Sequence, residues 1–188
     1  MSLLLDFQKI RRAYHANGEE RNENDVEHSY KLAMLAWYVA SAGNTKLNMD
    51  LILRYALAHD LVEVHAGDTY IYSKDTEHLA SKIEREEAAA QKLKEDFPEF
   101  PELHKCIQAY ERREDKESRF VYALDKVLPV LDIYLDNGRS WKRDMVTLQM
   151  LIENKTSKVA LSPEVEPYFT ELLEILRSKE GSLFPKDT

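Results

Sequence analysis

The sequence predicts an all-α fold, a helical bundle, on three observations. Glycine and proline are scarce, 5 and 6 in 188 residues, too few for a many-turned sandwich or barrel. Apolar residues recur at three- and four-residue spacing along most of the chain. No segment longer than a few residues alternates with the two-residue period of a strand.

The elements follow in order. Residues 3–16 read as a first amphipathic helix, with Leu4, Phe7, Ile10 and Tyr14 on one side. The polar run from Asn17 to Asn22 reads as a loop, with Gly18 as the helix stop. Asn24 reads as the N-cap of a second helix over about 25–42, with Glu27 in the capping-box position and a stripe of Leu32, Leu35, Ala36 and Val39. A third helix starts at Asn48 or Asp50 and carries Leu51, Ile52, Tyr55 and Ala56. The pattern breaks over 64–76, which reads as a loop. Residues 77–97 read as one charged helix stopped by Pro98 and Pro101, and further helices are expected at about 102–113, 116–136, 140–154 and 163–179.

Length and composition bound the rest. A chain of 188 residues with 44% hydrophobic content can bury a sizeable core. No linker divides it, so a single domain over 1–188 is expected. The net charge of −8 argues against a binder of duplex nucleic acid. Cys106 is the only cysteine, which excludes a disulfide framework and a cysteine zinc site and favours a reduced, cytoplasmic setting. The start, Met1 to Asp6, is too short and too soon charged for a signal peptide, and no apolar run approaches the ~18 residues of a membrane helix.

Four residues suggest chemistry. His59 and Asp60 stand side by side at the end of the apolar third helix. Consecutive helical residues point about 100° apart, so an ion off the helix between those directions can take both. His28 falls on the buried stripe of the second helix; taken alone it reads as a core histidine satisfied by a backbone carbonyl. Asp125 has Val121 and Leu128 as helical neighbours and no cation placed to pair with it within its own helix. A buried carboxylate in that position requires a partner from elsewhere, either a divalent metal or an arginine in a cross-helix salt bridge. Pro129 leaves the Asp125 carbonyl without its helical donor and tends to kink the helix. Two histidines and two carboxylates suit manganese, cobalt, zinc, iron, nickel or magnesium. Such a metal lowers the pKa of bound water. Glu63 shares the dyad's helical face and is placed to orient that water; Asp68, after Gly67, is a second candidate.

The order His28, His59-Asp60, Asp125 resembles the HD-domain superfamily of metal-dependent phosphohydrolases. The segments from Arg21 to Ser29, from His59 to Glu63 with Gly67-Asp68, and from Ala123 to Val127 are similar to those of the bacterial HD-domain 5′-deoxynucleotidases, over roughly residues 5–150. The resemblance implies an HD-domain bundle in which one divalent metal ion is held by His28, His59, Asp60 and Asp125. Glu63 would lie next to the attacking water, and Asp68 would act in catalysis or sugar positioning. It further implies a phosphate-binding arginine from the first helix, for which Arg11 and Arg12 qualify and Arg12 is the expectation. Arg21 matches an arginine seven residues before the first histidine, and Lys74 keeps its place in the loop after Gly-Asp. The expected substrate is a nucleoside 5′-monophosphate. Thr69-Tyr70-Ile71-Tyr72 replaces a proline-containing stretch, which puts the sugar preference in question. The absence of a Glu-Asp pair after the dyad and of a Gly-Tyr-Pro signature counts against (p)ppGpp hydrolases and cyclic-dinucleotide phosphodiesterases. Hydrolysis of another phosphate ester or pyrophosphate, and a non-catalytic metal- or nucleotide-binding module, are the alternatives. Relatives are often homodimers, and Tyr30, Trp37, Tyr38, Tyr134 and Trp141 read as core or dimer interface.

Overall fold

A computed structural model describes residues 2–73 and 75–185. The heart of the fold is three helices packed on one another: α2 (Asp25–Ala42), α3 (Met49–Ala58) and α8 (Lys116–Leu135). Leu32, Ala36 and Val39 of α2, Ile52 and Ala56 of α3, and Phe120, Val121 and Leu124 of α8 meet in one core. Side-chain caps set where these helices begin. Asn24 accepts from the backbone of Val26 and Glu27 while Glu27 reaches back to the Asn24 N–H, the full capping box. Asn48 and Asp115 cap α3 and α8 with their side chains alone, accepting from the first-turn backbone N–H groups. Pro129 lies inside α8, as the sequence requires.

The remaining elements pack around this core. α7 (Pro101–Arg112) lies against α3 and α8, α10 (Leu148–Val159) packs on α8, and α11 (Glu166–Ser178) follows α10. Phe7, Leu61, Val62, Leu93 and Ile107 form a smaller second core beneath α1 (Ser2–Phe7), α4 (Glu63–Ala66) and α6 (Lys82–Asp96). Trp141 stacks on Phe184 with ring centroids 4.5 Å apart, so it is core. Tyr30, Trp37 and Tyr38 are not core: they are 64%, 51% and 71% exposed on the outer face of α2. No helix of the described residues is long and apolar enough to cross a membrane.

Five expectations fail, each for a physical reason. The first helix stops at Phe7; residues 11–15 form β1 (Arg11–His15), antiparallel to β2 (Asn22–Asn24), with Arg11 opposite Asn24 and His15 opposite Asn22. Tyr14 continues the helical spacing, but a strand ladder and polar contacts of Arg12 and Tyr14 to β2, to α2 and to Asp60 beyond the end of α3 outweigh local propensity. Gly18, at φ +76°, serves the hairpin turn rather than ending a helix. The expected loop over 64–76 contains the one-turn α4. The expected helix over 77–97 is divided at Ser81 into α5 (Thr76–Ala80) and α6. The helix expected over 140–154 is broken into α9 (Arg139–Arg143) and α10, because Met145 turns to φ +57° and Thr147 caps a new helix through the Met150 N–H.

Gly138 opens α9 at φ +70°, and a Cβ there would sit 1.9 Å from the Leu183 carbonyl oxygen. Gly138→Ala is expected to destabilise the protein by about 2 kcal/mol or more, from left-handed strain plus overpacking. Urea unfolding reads this as a lower midpoint with an unchanged slope.

Candidate metal centre

Each of the three central helices contributes to one point. His28 lies in the first turn of α2, His59 caps α3 at its C-terminal end with Asp60 next to it, and Asp125 lies midway along α8. His28, His59 and Asp125 are buried; Asp60 is partly open to a cavity. His28 Nε2 is 3.0 Å from Asp125 Oδ1 and 3.9 Å from Asp60 Oδ2. His59 Nε2 is 2.9 Å from Asp60 Oδ2 and 3.6 Å from Asp125 Oδ1. One ligand atom from each residue can be chosen so that all four lie within 4.8 Å of one another.

The outer partners of the histidines fix which nitrogen faces inward. His59 Nδ1 is 3.0 Å from the Ala56 carbonyl, so it donates there and leaves Nε2 as the free lone pair. His28 Nδ1 faces Tyr14 Oη at 3.1 Å and Glu23 Oε2 at 3.5 Å, and the Tyr14 hydroxyl donates to the Glu23 carboxylate. Burial opposes the charge on Glu23, but hydrogen bonds from His28, Lys31 and Tyr14 outweigh it and hold its pKa at about 2. Lys31 continues the chain, pairing with Glu23 and, at 2.6 Å, with Asp132. Tyr14→Phe removes the hydroxyl that His28 leans on but leaves Glu23 nearby. Outer partners of this kind are worth roughly 10–100-fold in metal affinity, and the lower end is expected here; manganese titration checks it.

The residues present fit a divalent ion. His59 Nε2 is buried and finds no well-directed hydrogen bond, although carboxylate oxygens lie close. At the usual bond of ~2.1 Å, neighbouring ligand atoms sit roughly 3.0–3.4 Å apart. The observed separations of 2.9 to 3.9 Å bracket that range. Two imidazoles and two carboxylates are the donor set of manganese, iron, cobalt, nickel or zinc, not of calcium.

Asp125 differs from its expectation in one respect. Lys126, the next residue in its own helix, curls back so that Nζ is 2.5 Å from Asp125 Oδ2. Burial favours the neutral Asp125 carboxyl, but Lys126 and the two histidines hold its pKa well below the usual range. Among the described residues no arginine from another helix pairs with Asp125, which meets His28, His59 and Lys126.

Around this point lies a cavity of about 450 Å³ whose lining includes Arg12, Asp60, Glu63, Asp68, Asp125 and Lys126. Arg12 comes from β1, not from a helix, and its Nη1 donates to Asp60 Oδ2 at 2.6 Å and to Asp25 Oδ1 at 3.3 Å. Glu63, first residue of α4, is buried with Oε2 unpartnered, and burial together with the nearby Asp60 charge pushes its pKa well above the usual carboxylate range. Asp68 follows Gly67, whose φ of +73° with ψ of 153° is a conformation essentially restricted to glycine. Arg85 of α6 ties this turn down, donating to the Ala66 carbonyl at 2.6 Å and to Thr69 Oγ1 at 2.9 Å. Burial likewise raises the Asp68 pKa.

Arg21 is not part of this assembly. It is exposed at the end of the hairpin, with Nη atoms bonded to Glu27 at 2.6 and 2.8 Å and to Glu19 at 3.1 Å. Lys74 lies outside the described residues. Three neighbours of the site escaped the sequence reading. Asp25 sits in the first helical turn, where an acidic residue is ordinary. Glu23 had no signal apart from its place beside the Asn24 cap. Lys155 had none.

A family profile described as HD domain matches residues 7–166. The chain belongs to the HD domain family. This HD domain is 29% identical to a predicted metal-dependent phosphohydrolase from Magnetospirillum magnetotacticum MS-1, whose crystal structure superposes with a TM-score of 0.81 over 98% of this chain and 96% of that one. An HD-domain phosphohydrolase from Listeria innocua shares the fold at 16% identity and a TM-score of 0.56, over 95% of this chain and 96% of that one. Among curated proteins, the 5′-deoxynucleotidase HDDC2 of Homo sapiens is 32% identical over 114 residues, 60% of this chain and 53% of that protein. The Mus musculus protein of the same name matches at 32% over 60% and 55%. The HD domain thus spans about half the length of the curated relatives it matches.

Proposed function

We propose that this HD domain is a metal-dependent phosphohydrolase that converts nucleoside 5′-monophosphates, deoxynucleotides among them, to nucleoside and inorganic phosphate. The observation that carries this reading is the convergence of His28, His59, Asp60 and Asp125 beside a buried carboxylate, Glu63, and an arginine, Arg12, on one cavity. The 29% identity to a predicted metal-dependent phosphohydrolase and the 32% identity to 5′-deoxynucleotidases support it.

His28, His59, Asp60 and Asp125 would hold one divalent ion, which supplies Lewis-acid charge and acidifies water at neutral pH. Arg12 binds the phosphate from β1 and, through its bond to Asp60, fixes the side of the cavity on which it sits. Glu63, whose ionised form the neighbouring Arg12 charge favours against burial, orients the attacking water in line with the P–O5′ bond and takes its proton. As the new P–O bond forms, the P–O5′ bond breaks, and the departing 5′-oxygen takes a proton from Asp68, a carboxyl whose pKa burial raises. Tyr70 and Tyr72, in edge-to-face contact 5.6 Å apart on the cavity wall, offer an apolar surface for the base. The setting we propose is cytoplasmic.

Phosphate release across a panel of nucleotides and simple phosphomonoesters, with the metal varied, tests the reading. Turnover of 5′-monophosphates is expected. Full metal binding with no turnover of any compound would favour a non-catalytic binding module.

We also propose a homodimer formed through the outer face of α2, where Tyr30, Met34, Trp37 and Tyr38 are exposed together. Trp37→Glu is expected to shift the sedimentation coefficient from dimer to monomer.

A further inference from the structure

Lys155 is unusual within this cavity. It lies on α10 and is only 7% exposed, yet among the described residues its ammonium pairs with no carboxylate and donates to no carbonyl. A buried lysine normally has a partner, because an uncompensated interior charge is costly. The charges of Lys126, Lys158 and Arg12 oppose its own, and Asp125 offsets them only in part. Lys126 and Lys158 line the same wall, and Lys126 spends its charge on Asp125 at 2.5 Å. Leu151, Trp141 and Pro129 supply apolar surface but no acceptor. Burial and the adjacent Lys126 charge push the Lys155 pKa down to about 7.

Arg12 lines the same cavity and also has a donor without an acceptor. Arg12 uses Nη1 on Asp25 and Asp60, while its Nε is buried with no acceptor. Two cationic groups from distant parts of the chain, Lys155 buried and Arg12 partly buried, therefore reach one cavity with donor capacity that the protein does not satisfy. An anion with several acceptor oxygens would satisfy both. Tetrahedral phosphate meets that description, whereas a single carbonyl or a ribose hydroxyl carries no charge to answer an ammonium.

We propose that Lys155 is a substrate-binding residue that grips a phosphoryl oxygen from the α10 side while Arg12 grips the same group from β1. The assignment rests on the phosphohydrolase reading for its ligand class, but not on turnover. It makes α10, outside every motif of the sequence, a part of the binding site.

The test is binding of inorganic phosphate to the manganese-loaded protein by calorimetry, for wild type and Lys155→Met. The variant is expected to bind phosphate at least tenfold more weakly. Its thermal midpoint is expected to equal or exceed that of wild type, because an unpaired buried charge is gone; a purely structural lysine would lower it. Unchanged phosphate affinity in the variant, or no phosphate binding by wild type, would overturn the assignment. A second measurement needs no variant: an amine-reactive reagent, with labelled peptides mapped by mass spectrometry, should modify Lys155 in the wild-type protein and do so several-fold less when phosphate is present. Equal labelling with and without phosphate would overturn it as well. Phosphate held through Lys155 with no nucleotide turnover would retire the nucleotidase reading alone; nucleotide turnover with Lys155→Met indifferent to phosphate would retire the Lys155 assignment alone.

Discussion

Glu63→Gln is expected to lower the turnover number for phosphate release by roughly 10²–10⁴-fold, the range associated with losing a positioned general base. The reason is local. Glu63 Oε2 is buried without a partner on the wall that also carries Asp60 and Arg12, so its free oxygen is the acceptor available to a reacting water. Glutamine keeps the volume and one oxygen but cannot take a proton. The four proposed ligands are untouched, so manganese affinity should change little, and KM should stay within a few-fold. A rise in KM with turnover preserved would instead make Glu63 a binding residue.

Asp125→Ala is expected to abolish tight metal binding, with a loss beyond the roughly 100-fold that marks the upper end for outer-sphere partners. Asp125 is where α8 joins the site. Its Oδ1 lies 3.0 Å from His28 Nε2 and 3.6 Å from His59 Nε2, so its removal takes away one ligand and the group around which both imidazoles gather. It also strips Lys126 of its carboxylate and leaves a cation facing the ion's position. Phosphate release should vanish with the metal. Metal bound as tightly as in wild type would show that the four-residue assignment is wrong. Comparison with Tyr14→Phe separates the roles, since that variant keeps all four ligands and should lose affinity only modestly.

The contrast between what the sequence revealed and what it concealed follows from the range of the forces involved. The start of α2 was legible because Asn24 and Glu27 cap it through contacts three residues apart. His28 alone reads as a core histidine and His59-Asp60 is a common dipeptide; they became legible together, through their order with Asp125 along the chain. Arg12 was placed on a helix because Ile10 and Tyr14 keep helical spacing; its strand is set by pairing with Asn22–Asn24 and by Asp60, 48 residues away. The pairing of Asp125 with Lys126 was missed because adjacent helical residues diverge, and only a long side chain bending back over the cavity joins them. Arg21 matched a family position, yet Glu19 and Glu27 hold it at the hairpin surface. Glu23, Asp25 and Lys155 carry no local signal, because what distinguishes them is burial that only the folded chain creates.

The central claim is that one metal site, built by His28, His59, Asp60 and Asp125, is what makes this HD domain a phosphohydrolase. It is tested most directly by following phosphate release from a deoxynucleoside 5′-monophosphate in a single preparation before chelation, after chelation and dialysis, and after manganese is restored. The account predicts release that disappears as the bound metal falls below one ion per chain and returns as it is replaced. Release that continues at its full rate from metal-free protein would contradict it.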